Sequence, residues 1–196
     1  ADKVSYEASQ YGQGLLTYSL LDWMKYRAIE GDSTVDVVRL FEYARDQVPV
    51  LARDIGGVQT PTLATPSSGG FSIGIINEKV EIPLPQVKPV FVRNVFLDTD
   101  TFYDALKIGK RLEGQLQEIT AKGARASLIY VDVPEYKNAY SINGFYRVKN
   151  GEVALEARLF KGQAALGTIE AKGQAGQLNA LVEEVLRQAF GILQKK

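Results

Sequence analysis

The polar, glycine-punctuated stretch Ser9 to Gly14 is followed by Leu15, Leu16, Tyr18, Leu20, Leu21, Trp23 and Met24, which are apolar on nearly all sides. A surface helix keeps one polar face, so this run predicts a buried helix of about three turns. The next apolar stripe, Val37, Leu40, Phe41, Ala44 and Val48, recurs at helical spacing behind Asp36, a residue type that caps helix N-termini. Val35 and Leu40 are spaced for a hydrophobic staple across that cap. Pro49 interrupts the backbone bonding, and a short continuation through Leu51 and Ala52 is expected to stop at Gly56-Gly57. Leu63 to Gly70 reads as a loop and Phe71 to Ile76 as a strand.

Asn77 to Pro89 contains prolines at 83, 85 and 89 and predicts a linker. Beyond it, the β-branched run Val90 to Leu97 predicts a strand. Asp98 to Asp100 offers a capping cluster for a helix carrying Phe102, Leu106, Ile108, Leu112, Leu116 and Ile119. Ser127 to Val133 predicts a second strand. Tyr140 to Val148 and Val153 to Phe160 flank Asn150-Gly151, the dipeptide favoured in two-residue hairpin turns. Ala165 to Ala171 predicts a further strand, and Leu178, Leu181, Val182, Val185, Leu186, Ala189 and Leu193 mark a closing amphipathic helix. The expected architecture over residues 90–196 is a small α+β domain with two helices on one face of a mostly antiparallel sheet.

Composition narrows the chemistry. The chain has 23 basic and 23 acidic side chains and neither histidine nor cysteine. Without them, no Cys-His or Ser-His-Asp mechanism can run on these residues alone, and the imidazole and thiolate ligands of zinc, copper and iron sites are missing. No metal and no cofactor is expected. Residues 1–84 carry 7 basic and 11 acidic groups, a net of −4, and residues 85–196 carry 16 and 12, a net of +4. Neither half is basic enough to predict a nucleic-acid partner. Apolar runs fall short of the roughly 18 to 20 residues that span a bilayer, so a soluble chain without a membrane span is expected.

Motifs that suggest a site mostly have simpler readings. Gly56-Gly57, Gly69-Gly70 and Gly173 to Gly176 match neither a phosphate loop nor a dinucleotide fingerprint. Glu30-Gly-Asp32-Ser-Thr-Val lacks the alternating oxygen ligands of a calcium loop and reads as a turn before a helix cap. Asp98 and Asp100 are better explained by capping than by a metal pair.

One segment points further. Tyr11-Gly-Gln-Gly14-Leu-Leu-Thr17-Tyr18-Ser-Leu-Leu21 resembles the glycine-then-Phe/Leu-Thr-Tyr-x-Leu-Leu segment that opens the small-subunit half of bacterial caspase-like cysteine peptidases, relatives of the metacaspases. Val35-Asp-Val-Val-Arg-Leu-Phe41-Glu-Tyr43-Ala-Arg45-Asp-Gln-Val48-Pro49 and Gly56-Gly-Val-Gln59-Thr-Pro61 are similar to that family's next two signatures, in the same order. The resemblance covers residues 1–76. It implies the C-terminal half of a caspase-type α/β sandwich, with the catalytic histidine and cysteine in a large-subunit segment upstream and no catalytic residue here. Its implied partners are that upstream segment and a peptide or protein substrate. Asp2, Ser5, Tyr6 and Glu7 resemble the family's loop beside the substrate groove, which makes them substrate-binding candidates. Such enzymes often cut themselves between the halves, so Ala1 is either a processed end or a mere boundary. Residues 90–196 are weakly similar to the α/β domains of curli-export and Tol-type periplasmic proteins, which implies an accessory, recognition or assembly role. The expected compartment is the bacterial cytoplasm or periplasm. The alternative function is a non-catalytic adaptor, a caspase-like remnant fused to an interaction domain.

Overall fold

A computed structural model of the protein describes residues 7–28, 33–64, 70–77 and 79–195, with positions 7–9 and 124 described by backbone alone. The chain divides into two compact units, Ala1–Lys88 and Pro89–Lys196, and the break falls at the last proline of the proline-rich stretch.

The first unit is built on a helix pair. A two-residue strand β1 (Glu7–Ala8) and a single 3-10 turn lead into β2 (Gln13–Gly14), so part of the stretch expected to be irregular forms a small antiparallel ribbon. Helix α1 (Leu15–Asp22) follows and runs on into a π-turn over Trp23–Arg27. Helix α2 (Val37–Asp54) lies beside it, preceded by β3 (Thr34–Asp36), which pairs with β4 (Ser72–Ile75). Leu15 packs with Val48 and Ala52 near the end of α2, whereas Leu20, Trp23 and Met24 pack with Leu40 near its start, so the helices run antiparallel. The expectation that α1 is buried on all sides is corrected: within it only Leu15 and Ser19 are fully buried, because one neighbouring helix covers only one face.

The ends of α2 follow from sequence chemistry. The Asp36 carboxylate accepts from the Arg39 N–H at 2.9 Å, satisfying one of the otherwise unpaired first-turn donors, and Val35 and Leu40 meet in one buried cluster. The helix passes through Pro49, beyond the expected core ending at Val48. It stops where Gly56 adopts φ +73°. There the Gly57 and Gly56 N–H groups bond back to Ala52 O at 2.8 Å and Arg53 O at 3.2 Å, the paired bonds of a Schellman ending. Phe41, placed on the inner stripe by the sequence, is exposed instead. Removing the cap with Asp36→Ala is expected to lower stability by about 1 kcal/mol. Urea unfolding followed by circular dichroism checks this, and an unchanged midpoint would show that the cap contributes nothing.

The second unit is α+β. Its sheet contains β5 (Val90–Phe91), β6 (Phe96–Asp98), β7 (Ile129–Tyr130), β8 (Tyr140–Lys149), β9 (Glu152–Lys161) and β10 (Ala164–Gln174). The order is β10-β9-β8-β5-β7, with β6 also paired to β8. The long strands β8, β9 and β10 are antiparallel, and the short ones pair in parallel. Asn150 and Gly151, at φ +53° and +81°, form the β8–β9 turn, as the dipeptide requires. Helices α3 (Ile108–Thr120) and α4 (Leu178–Gln194) share one core with the sheet, built from Ile142 and Tyr146 of β8, alternate residues of β9 from Val153 to Leu159, and Ile169 and Ala171 of β10. A smaller cluster gathers Val90, Val92 and Ala139 with Val131, Val133 and Tyr136.

The expected strand 90–97 is split by a β-bulge. Phe91 pairs with Tyr140 and Phe96 with Gly144, so five steps on one strand match four on the other. Residues five apart in a regular strand face opposite ways, yet Phe91 and Phe96 both enter the main core because of the extra residue. Asn94 fills the gap as a surrogate for backbone: its Oδ1 accepts from the Ile142 N–H at 2.8 Å. The flanking bonds are regular, with Val92 N–H donating to Tyr140 O and Gly144 N–H to Val95 O, each at 2.9 Å.

Two further expectations are corrected. Asp98 does not cap the helix that follows. It ends β6, and its Oδ1 accepts from the Asp100 N–H, the Thr101 N–H and the Thr101 hydroxyl, closing a turn. Phe102 and Lys107 then take positive φ, which breaks a continuous helix, and α3 begins only at Ile108. Asp104 caps α3 instead, accepting from the Ile108 and Gly109 N–H groups at 3.0 Å each. The expected strand 127–133 shortens to β7, whose Tyr130 N–H is taken in part by the Thr120 hydroxyl.

Candidate functional site

Of the substrate-binding candidates, Asp2, Ser5 and Tyr6 lie outside the described residues. Glu7 lies in β1, where its backbone pairs with Gly14, and its side chain is not described. The turn at Glu30 to Asp32 also lies outside.

Within the first unit, the helix pair forms a cleft of about 260 Å³. From α1 come Tyr18, Ser19 and Asp22, and from α2 come Tyr43, Gln47 and Leu51, spaced four residues apart on one face. Tyr11 and Val87 close the cleft's border, and the Tyr11 and Tyr18 rings meet at 4.8 Å with their planes tilted by 58°. The Ser19 hydroxyl is spent on the Leu15 carbonyl one turn back, at 2.9 Å. The Tyr43 hydroxyl donates to Asp22 Oδ2 at 2.6 Å, linking the helices.

That phenol is held in its neutral form. Burial, together with the hydrogen bond to Asp22, pushes the Tyr43 pKa up to about 12, with Arg27 opposing. Burial also raises Tyr11 and Tyr18 above the ordinary phenol value. A phenol protonated at neutral pH is a hydrogen-bond donor, and Tyr43 uses its proton on Asp22. Among the described residues, no group of three or more carboxylates could hold a metal ion.

Tyr43 links stability to pH in the alkaline range. Tyr130 in the second unit is likewise pushed up to about 12, chiefly by burial. A raised folded-state pKa means that the unfolded chain loses these protons first, so stability is intact below about pH 10 and falls as pH rises towards 12. In an alkaline titration followed by tyrosinate absorbance, Tyr43 and Tyr130 should be the two late phenols, ionising near pH 12 after the less strongly raised Tyr11, Tyr18 and Tyr146, and Tyr43→Phe should leave one of the two. Two late phenols persisting in that variant would contradict the assignment.

In the second unit, the sheet face opposite the helices carries a cleft of about 610 Å³. Cross-strand pairing lays Arg147 beside Ala154 and Lys172, and Phe145 beside Glu156 and Glu170. Arg147 is tied to the neighbouring turn, donating to Thr99 Oγ1 at 3.1 Å with Asp100 at 3.5 Å. Above that turn Phe102 and Tyr103 are 73% and 67% exposed, and Tyr146 holds its base by accepting from the Leu106 N–H at 3.2 Å. Asp98 and Asp100, a conspicuous pair of carboxylates in the sequence, fasten the turn. No described helix is long and apolar enough to cross a membrane.

Sequence reasoning missed the Tyr18, Asp22 and Tyr43 arrangement. The signal was present as four-residue spacing on two helices, but it becomes a site only when those helices are paired. No family model matches the chain, and no curated protein does. Among solved structures, an uncharacterized protein known from its crystal structure aligns with 54% of this chain and 92% of its own, at 9% identity and a TM-score of 0.34, a likeness too slight to carry an argument.

Proposed function

We propose that this chain is the small-subunit portion of a caspase-like cysteine endopeptidase, completing the fold and substrate groove for a Cys-His dyad carried by a segment outside these residues. The observation that carries the reading is the order of three motifs, each doing a definite job in the chain. Tyr11 to Leu21 spans β2 and nearly all of α1, with Gly14 at the helix N-cap. Val35 to Pro49 spans the Asp36 cap and most of α2, and Gly56-Gly57 forms the ending of that helix. The lack of histidine and cysteine agrees with a portion that supplies scaffold and groove wall but no reacting group.

In the proposed enzyme, the upstream thiolate attacks a peptide carbonyl. The protonated imidazole gives its proton to the leaving amine, and water then attacks the acyl-enzyme carbonyl, releasing the acid and restoring the thiol. The Tyr43–Asp22 bond fixes α1 against α2, and Asp2, Ser5, Tyr6 and Glu7 are the proposed substrate contacts. The residues from Pro89 onward serve as an accessory domain.

The test is reconstitution. The pure chain should be silent towards a fluorogenic peptide library, and co-expression with its native upstream segment should produce turnover that Cys→Ala in that segment abolishes. Turnover by the chain alone would overturn the reading. Silence of the reconstituted protein across basic and acidic substrates would favour the non-catalytic adaptor.

A further inference from the structure

Strand β10 is an edge: it pairs with β9 and with no other described strand. An edge of eleven residues presents a row of backbone donors and acceptors that another strand can use. In an antiparallel pair, successive residues point their N–H and C=O groups alternately towards and away from the partner. The Glu170 groups point away from β9, because the Glu170 N–H donates to Gln188 Oε1 at 3.2 Å and the Glu170 C=O accepts from Gln188 Nε2 at 2.7 Å. By the same alternation Thr168, Lys172 and Gln174 also turn their backbone groups to the free edge, and all four residues are exposed.

The Gln188 carboxamide thus makes both bonds that the peptide group of an added strand would make. It is held for the purpose. Its Nε2 also donates to Glu184 Oε1 at 2.7 Å, and the Glu184 carboxylate is gripped in turn by Arg187 through Nε at 2.7 Å and Nη2 at 2.5 Å. Helix α4 can reach the edge because it lies close along β10, with Leu181 over Gly173 and Ile192 over Gly167, where a methyl group would sit 2.9 Å from Ile192 Cδ1.

The edge is complementary to itself. Two copies of β10 run antiparallel about a twofold axis at Ala171 would place Glu170 opposite Lys172 of the second copy, twice over, and Thr168 opposite Gln174. The same parity brings the outward backbone groups of Glu170 and Lys172 into register. We propose that β10 is a latent dimerisation edge for a second copy of this chain, closed in the monomer by the Gln188 amide. Releasing that amide joins two sheets into one across the axis.

The experiment is sedimentation equilibrium of the whole chain over about 1 µM to about 1 mM, a range in which exposed strand edges associate. Wild type should remain monomeric over most of the series. Gln188→Ala should shift to a species of twice the monomer mass, and Glu184→Ala, which only frees the amide, should shift part of the way. Adding Lys172→Glu to Gln188→Ala sets like charges opposite each other and should return the monomer. Adding Glu170→Lys to that pair restores opposite charges and should return the dimer. Hydrogen exchange over 167–174 gives a second readout, becoming faster in dilute Gln188→Ala and slower again as concentration rises. A Gln188→Ala protein that keeps its circular dichroism and stays monomeric throughout would overturn the proposal. So would a dimer indifferent to the Lys172 and Glu170 charges.

Discussion

Gly144→Ala is expected to lower the stability of the second unit by about 3 kcal/mol or more, a large share of the roughly 5 to 15 kcal/mol that holds a typical domain. Gly144 lies in β8, the strand flanked by β9 on one side and β6 on the other. A methyl group there would overlap the Glu156 carbonyl and come within 2.6 Å of the Ala157 Cα and Cβ. Two of these three atoms are backbone of the adjoining strand, so no side-chain rotation relieves the clash. The sheet must either part at the Gly144–Ala157 pair or shift β9, and β9 is fixed by the Asn150-Gly151 turn and by its long register with β10. The urea midpoint should fall with an unchanged slope. In the double variant with Ala157→Gly, only part of the loss should return, because removing one methyl leaves the Glu156 carbonyl in place. Full rescue would mean that the contact is between side chains alone, and an unchanged midpoint would mean that the strands separate freely.

The extent to which this fold is legible in the sequence follows the range of the forces that make it. Val153, Leu155, Ala157 and Leu159 alternate because every second residue of β9 meets the helices, and local alternation reveals that. The α2 cap and the Asn150-Gly151 turn are equally local, since a side chain or a dihedral within four residues decides them. The start of α3 is not legible locally because Asp98 and Asp104 are both competent caps. The choice is made by β8, whose Tyr146 pairs with Asp98 and so commits it to a strand end. The bulge is hidden for a similar reason: one extra residue leaves the β-branched composition of 90–97 intact and shows only as a parity shift between Phe91 and Phe96. Phe41 lies on the helical stripe of α2, but the single helix beside it leaves that edge of the stripe uncovered.

The candidate site divides along the same line. Asp2, Ser5 and Tyr6 were reached by resemblance to a family and lie outside the described residues, and no local physical signal marks them. Tyr43 and Asp22 are 21 positions apart, and their bond depends on the antiparallel docking of two helices. Gln188 carries even less signal, since a glutamine on a helix flank is ordinary until a strand edge lies beneath it.

Asn94→Asp is the change that should most clearly expose how the bulge is held. Asn94 is 7% exposed, and its Nδ2 is enclosed without a hydrogen-bond partner, while its Oδ1 holds the fully buried Ile142 N–H. Aspartate keeps the shape and that acceptor but replaces the unpaired amino group with a second oxygen. Ionised, it would be an uncompensated buried charge beside Glu113, whose Oε1 lies 3.5 Å from the Asn94 backbone nitrogen, and removing the compensation of a buried charge costs about 3 to 5 kcal/mol. The folded protein avoids that charge by keeping the carboxyl protonated, so the new group's folded-state pKa rises above its unfolded value of about 3.9. A carboxyl with a raised folded-state pKa makes stability fall as pH climbs past the unfolded value, because the unfolded chain releases the proton first. Asn94→Asp should therefore be near wild type in denaturant midpoint at about pH 4 and fall far below it at about pH 7. Asn94→Ala removes the acceptor from Ile142 without adding a charge, so it should lose about 1 to 3 kcal/mol at both values. If the aspartate variant instead tracked wild type at neutral pH, the Asn94 side chain would have to be solvated, and the bulge would be held by its flanking backbone bonds alone.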